Sequence, residues 1–209
     1  MPANYGQHTD GKLHTRHTEL SKCETPSGMW QVVKDRMFPR PNSDTGVMAF
    51  GTERHDMLRD ESMESGELPR SVQDHLPQYK GMRMIRCESE IAVEMFRDVV
   101  IHMQPDFYGE LSGKRYLIDY KTTSKAGKSY YKKSHQLPLY TLIFMTALNE
   151  PVDYMVYVFE LWDKERNNFI GYDFEEIPVT IQRLGHTKIW TKKMVQNLIK
   201  ALSNAHLAQ

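Results

Sequence analysis

Two acidic residues, Asp106 and Asp119, fall within a stretch from Gln104 to Lys121 that reads as two short strands around a glycine-containing turn. The second strand, Arg115 to Lys121, is rich in Tyr, Leu and Ile, residues that suit a pleated, half-buried surface. Side chains alternate faces along a strand, so Leu117, Asp119 and Lys121 share one face, and Ile118 and Tyr120 the other. Folded as a hairpin, the stretch brings Asp106 close to Asp119. Two carboxylates at one point repel each other unless a cation lies between them. A hard divalent ion, Mg²⁺ or Mn²⁺, suits oxygen ligands of this kind. Lys121 then stands where it can contact a phosphate or an attacking water. The plainer alternative is a surface hairpin whose Asp–Lys pair stabilises little.

Pro105-Asp106, a gap, then Asp119-Tyr120-Lys121 resembles the PD-(D/E)XK nuclease signature. Thr122-Thr123 and the later Gln136-Leu137-Pro138-Leu139-Tyr140 are similar to its RecB-type branch, which includes Cas4-like exonucleases. That branch carries Asp-Tyr-Lys-Thr followed by a Gln-x-x-x-Tyr helix. Upstream, Gly51-Thr52-Glu53-Arg54-His55 resembles the branch's Gly-x-x-x-His helix. The blocks come in the family's order.

The resemblance implies an α/β fold with a restriction-endonuclease-like core, a central mixed sheet flanked by helices. It implies metal-dependent hydrolysis of DNA phosphodiesters. His55, Asp106 and Asp119 would hold one Mg²⁺ or Mn²⁺, helped by the main-chain carbonyl of Tyr120, whose side chain points away. Lys121 would position the water, and Gln136 and Tyr140 would orient Lys121 or contact DNA. The branch favours exonucleolytic trimming of ends or single strands, in recombination or repair and in a phage or mobile-element setting. Cas4-like proteins hold an iron–sulfur cluster with one upstream cysteine and three near the C-terminus. Cys23 matches the first, but the C-terminal segment has no cysteine, so a four-thiolate cluster cannot be built.

The elements that must position these residues set the remaining expectations. A length of 209 residues suits one compact domain. Lys plus Arg and Asp plus Glu both number 27, so a DNA-binding surface must be a local patch rather than a global field. No apolar run is long enough to span a membrane, and no apolar signal core opens the chain. Two separated cysteines, Cys23 and Cys87, suggest no disulfide framework, which points to a reducing, cytoplasmic setting.

Residues 1–16 are polar without periodicity and read as a flexible arm, with 17–209 as a single nuclease domain. His8, His14 and His17 then read as solvated. Ser27 reads as the N-cap of a helix carrying Met29, Trp30, Val32, Val33 and Met37, stopped by Pro39-Arg40-Pro41. Thr45 or Thr52 caps the next helix, which contains Val47, Met48, Phe50, His55, Met57 and Leu58. Glu64 to Lys80, broken by Pro69 and Pro77, reads as a loop or short helix. The sheet begins after Gly81 and includes the alternation around Ile91, Val93 and Met95, then Val99 to Ile101. Glu88 and Glu90 are candidates for an additional acidic group, or solvated glutamates on an edge.

Between Thr122 and Lys133, Lys125, Lys128, Lys132 and Lys133 interleave with Tyr130 and Tyr131. That mixture suits a phosphate backbone and a stacked base, with Gly127 leaving the loop free to move. Ser134 caps a helix to about Leu148, with Pro138 in its first turn and Gln136 and Tyr140 on one face. Val152 to Leu161 and Phe169 to Ile177 read as a hairpin. A helix through Trp190, Met194, Leu198, Ile199 and Leu202 closes the chain. Two rivals stand beside the exonuclease: a non-catalytic DNA-binding subunit that keeps the fold, and an endonuclease or RNase of the same superfamily. The complete Asp, Asp, Lys and His set favours an enzyme.

Overall fold

The structure, a computed structural model, describes residues 10–38, 46–87, 90–163, 165 and 168–206. In chain order the elements are β1 (Leu13–Arg16), α1 (His17–Lys22), α2 (Pro26–Met37), α3 (Gly46–Ser65), α4 (Arg70–His75), β2 (Arg83–Cys87), β3 (Ile91–Phe96) and β4 (Val99–Met103). They continue with β5 (Phe107–Leu111), β6 (Lys114–Thr123), α5 (Lys128–Lys132), α6 (Gln136–Thr146), β7 (Tyr154–Trp162), β8 (Phe169–Pro178) and α7 (Ile181–His206). These form two compact units, one from Met1–Ser43, Ile91–Met103 and Ile181–Gln209, the other from Asp44–Glu90 and Gln104–Thr180.

The first unit holds a three-stranded sheet in the order β1-β4-β3. Strand β1 runs parallel to β4, pairing His14 with Val100, and β3 runs antiparallel to β4. The alternation around Ile91 thus forms a strand as expected, but not in the sheet of the acidic hairpin. Residues 13–16, expected in a flexible arm, are strand as well, because their backbone groups find partners along β4; residues 1–9 and His8 lie outside the described residues. His14 and His17 are buried rather than solvated, and His14 Nδ1 lies 2.7 Å from His102 Nε2. Thr25, not Ser27, caps α2: its hydroxyl accepts from the Gly28 N–H at 3.1 Å, with Pro26 opening the helix. On α7, Thr187, Thr191, Met194, Val195 and Leu198 form the buried stripe, while Ile199 turns outward.

The second unit is built on a five-stranded mixed sheet in the order β2-β5-β6-β7-β8. Strands β5 and β6 make the hairpin legible in the sequence. Ser112 (φ 51°) and Gly113 (φ 75°) form a two-residue turn whose positive dihedrals match the right-handed twist of the strands. Strand β7 pairs parallel to β6, which requires a crossover, here carried by α5 and α6. Leu58 of α3, Val72 of α4, and Leu68, Tyr79 and Met82 pack with Phe107, Ile118, Tyr120, Val156 and Val158 in one buried cluster. Gly109 is needed for close approach: a Cβ there would lie 2.7 Å from the Arg83 carbonyl oxygen and 2.4 Å from the Phe107 ring.

Candidate active site

Strand alternation decides which side chains meet. Ile118 and Tyr120 enter the cluster with α3, so Asp119 and Lys121 face the opposite way, toward α6. Helix α6 is apolar all round and buried from Leu137 to Phe144. Ser134 accepts from the Gln136 N–H at 3.1 Å, fixing the first turn, and Pro138 sits within it. Gln136 and Tyr140 thereby share the face over the strand, and Gln136 Nε2 lies 3.4 Å from the Tyr140 hydroxyl.

Asp106 immediately precedes β5. Its Oδ2 accepts the Tyr120 N–H at 2.5 Å, tying the first acid to the backbone beside the second. Gln136 Nε2 donates to Asp119 Oδ1 at 3.2 Å, and Lys121 Nζ stands 2.5 Å from Asp119 Oδ2. His55 Nδ1, on α3, lies 3.8 Å from Asp106 Oδ1. The Tyr120 backbone bears on the ring as well and favours its charged form.

Electrostatics follow from this crowding. Burial pulls the His55 pKa below the ordinary histidine value, and the Lys121 ammonium adds to the effect. The imidazole is therefore neutral at neutral pH, the form in which a ring nitrogen binds a metal. Burial alone would lower the Lys121 pKa, but the carboxylates of Asp119 and then Asp106 outweigh it and hold the ammonium protonated well above the usual lysine range. Burial, followed by the Asp119 charge, pushes the Tyr140 phenol up, so it stays neutral.

The donor set is two carboxylates, a neutral imidazole and a backbone carbonyl, a combination that suits a hard divalent cation. Asp119 Oδ2 is buried without an aligned hydrogen bond, so it is an oxygen with unused capacity facing the Lys121 ammonium. Among the described residues no three His, Cys, Asp or Glu side chains already close on one point. The residues thus fit the ion in chemistry, with the Lys121 ammonium beside Asp119. An open cleft of about 540 Å³, lined by Gly51, Thr52, His55, Asp56, Arg59, Gln104 and Asp106, gives access from the His55 side.

His55, Asp106, Asp119, Tyr120, Lys121, Gln136 and Tyr140 all lie in the second unit and in this neighbourhood. Gln136 bonds Asp119 rather than Lys121. Glu90 is exposed, and Glu88 lies outside the described residues. The lysine-rich segment is partly a helix, α5, with Lys128 paired to Asp173 and Lys132 to Glu175 (2.6 Å), while Lys125, Tyr130 and Lys133 are exposed. At Gly127 an added Cβ would lie 2.2 Å from Thr123 Oγ1. The sequence reading passed over Glu160, 1% exposed on β7, and its partner Arg54 on α3. A single glutamate inside the apolar run of β7 was the available signal, because a buried carboxylate must be paired.

The fold that presents these side chains is α/β, a central mixed sheet flanked by helices, of the restriction-endonuclease-like type found in nucleases. Among solved structures, the chain is similar to an alkaline exonuclease from Laribacter hongkongensis, at 12% identity over 99% of this chain and 94% of that one, with a TM-score of 0.53. It is similar to a phage-related exonuclease from Haemophilus somnus 129PT, at 12% identity over 93% and 97% of the two chains, TM-score 0.54. A protein from Eubacterium rectale assigned as an exonuclease matches at 11% identity over 98% and 86%, TM-score 0.60. At such identities the likeness is one of fold. No family model and no curated protein matches the chain.

Proposed function

We propose that the chain is a metal-dependent DNA nuclease of the PD-(D/E)XK type, trimming DNA from ends or single strands. The observation that carries the reading is the meeting of Asp106, Asp119 and Lys121 at neighbouring strands, with His55 and Gln136 bearing on the two acids. The likeness of fold to exonucleases supports it. One Mg²⁺ or Mn²⁺ held by His55, Asp106, Asp119 and the Tyr120 carbonyl would supply Lewis acidity, lowering the pKa of the attacking water and neutralising charge on the pentacovalent phosphorus.

The chain's own residues do the rest. The Tyr120 N–H fixes the Asp106 carboxylate, and Gln136 fixes that of Asp119, so neither must reorganise when substrate arrives. Lys121 stands in the site as its ammonium form, which the charges of Asp119 and Asp106 favour. It donates hydrogen bonds to the water or to a phosphate oxygen and stabilises the charge that builds there. Exposed Lys125, Lys133 and Tyr130 offer contacts for the backbone and a base.

The RecB-type branch, and with it a role in recombination or repair, rests on the Asp-Tyr-Lys-Thr, Gln-x-x-x-Tyr and Gly-x-x-x-His blocks. Among the described residues no helix is long and apolar enough to cross a membrane. The test is a panel of labelled linear, circular and single-stranded DNA and RNA with Mg²⁺ or Mn²⁺, using wild type, Asp119→Ala and Lys121→Ala. Cleavage of linear DNA alone by the wild type supports an exonuclease. Cleavage unchanged in both variants overturns the site.

A further inference from the structure

Glu160 sits on β7 directly across from Thr122 of β6 and from Tyr172 of β8. Its carboxylate accepts hydrogen bonds from four donor groups. Arg54 Nε reaches Oε1 and Oε2 at 2.9 and 3.1 Å, and Arg54 Nη2 bonds Oε1. The hydroxyls of Thr122 and Tyr172 reach it at 3.3 and 3.2 Å. A carboxylate offers about four lone-pair sites, so Glu160 is fully committed to protein donors. Arg54 is held on its other sides too, with Nη1 3.1 Å from Met57 Sδ and the guanidinium 5.6 Å from the Trp162 ring centre. The glutamate, 1% exposed, is thereby closed to a ligand.

Two of the groups that bond Glu160, Arg54 and Thr122, adjoin the candidate site in sequence. Arg54 precedes His55 on α3, and Thr122 follows Lys121 on β6. One buried carboxylate therefore pins the helix carrying the imidazole to the strand carrying the ammonium. We infer that Arg54 and Glu160 are positioning residues, which set His55 over Asp106 and the Tyr120 carbonyl and so tune the site's affinity for a divalent ion. The metal side of this claim rests on the proposed nuclease function; the placing of His55 does not. Groups that orient metal ligands without touching the ion are typically worth 10- to 100-fold in affinity or activity.

Removing one partner alone would strand a buried charge, so the informative variant is the double Arg54→Met, Glu160→Gln. It leaves no orphan charge and keeps an acceptor for the two hydroxyls. Arg54→Lys, which keeps the charge but not the two-pronged contact, is the second variant should the first not fold. Three readouts are taken on protein that melts cooperatively: the His55 ring resonances without metal, the Mn²⁺ dissociation constant by calorimetry, and kcat and KM for DNA cleavage. The positioning role requires shifted His55 resonances, Mn²⁺ binding weakened about tenfold or more, and a fall in kcat with KM little changed. A folded variant with unmoved His55 resonances and wild-type Mn²⁺ affinity overturns it. A wild type that neither binds Mn²⁺ nor cuts DNA refutes the nuclease reading, while the His55 resonances still decide the positioning claim.

Discussion

Gln136 on α6 donates to Asp119 Oδ1 across 3.2 Å, while Asp119 Oδ2 faces Lys121 Nζ at 2.5 Å. The two oxygens of one carboxylate thus meet different partners: Oδ1 is held by the helix, and Oδ2 by the ammonium of its own strand. Gln136→Leu frees Oδ1 to rotate without removing a charge. Mn²⁺ affinity is expected to fall about 10- to 100-fold, with the fold intact. Calorimetry against a thermal melt checks this, and an unchanged dissociation constant would remove Gln136 from the site.

Asp106→Asn keeps an acceptor for the Tyr120 N–H but deletes a negative charge. Since Asp106 is one of the two carboxylates that hold the Lys121 ammonium above its ordinary pKa, the variant lowers that pKa. Mn²⁺-dependent cleavage is expected to fall by roughly 10²–10³-fold or more, the scale of losing one group that stabilises transition-state charge. Initial rates on linear DNA give the answer.

Gly109→Ala places a Cβ 2.7 Å from the Arg83 carbonyl oxygen and 2.4 Å from the Phe107 ring. The first contact is with backbone and cannot be relieved by a rotamer change. A loss of about 1–3 kcal/mol in urea denaturation is expected, as for other overpacked sites. An unchanged midpoint would mean that β2 and β5 separate at little cost.

Cys23 is fully buried, and burial, reinforced by the Glu19 charge, pushes its pKa to about 11 against an ordinary value of 9.0. In the unfolded chain the thiol ionises first. Between pH 9 and 11 the unfolded state therefore binds fewer protons, and this contribution to stability, present below pH 9, is lost as pH rises through the folded value. The melting temperature is expected to drop over that range less steeply in Cys23→Ala. Half-buried Cys87 is expected to react with iodoacetamide at pH 8 well before Cys23 does.

Much of the site was legible before any coordinates. A strand's period of two put Asp119 and Lys121 on one face and Tyr120 on the other, and a helix's period put Gln136 and Tyr140 together. A glycine-containing turn announced the hairpin that carries Asp106 toward Asp119. These are local facts, decided by stereochemistry within a few residues, and the chain states them directly.

Pairing partners are another matter. The alternation around Ile91 says that a strand has two faces, not which sheet it joins, so β3 and β4 were assigned to the wrong sheet. His14 looked solvated until β4 ran alongside it and His102 met its ring. Glu160 became tolerable in an apolar strand only because a guanidinium 106 residues away arrived to neutralise it. The sequence alone determined which side chains point the same way along each element. Tertiary structure decided which elements meet, because burial and charge pairing depend on neighbours that local periodicity does not encode.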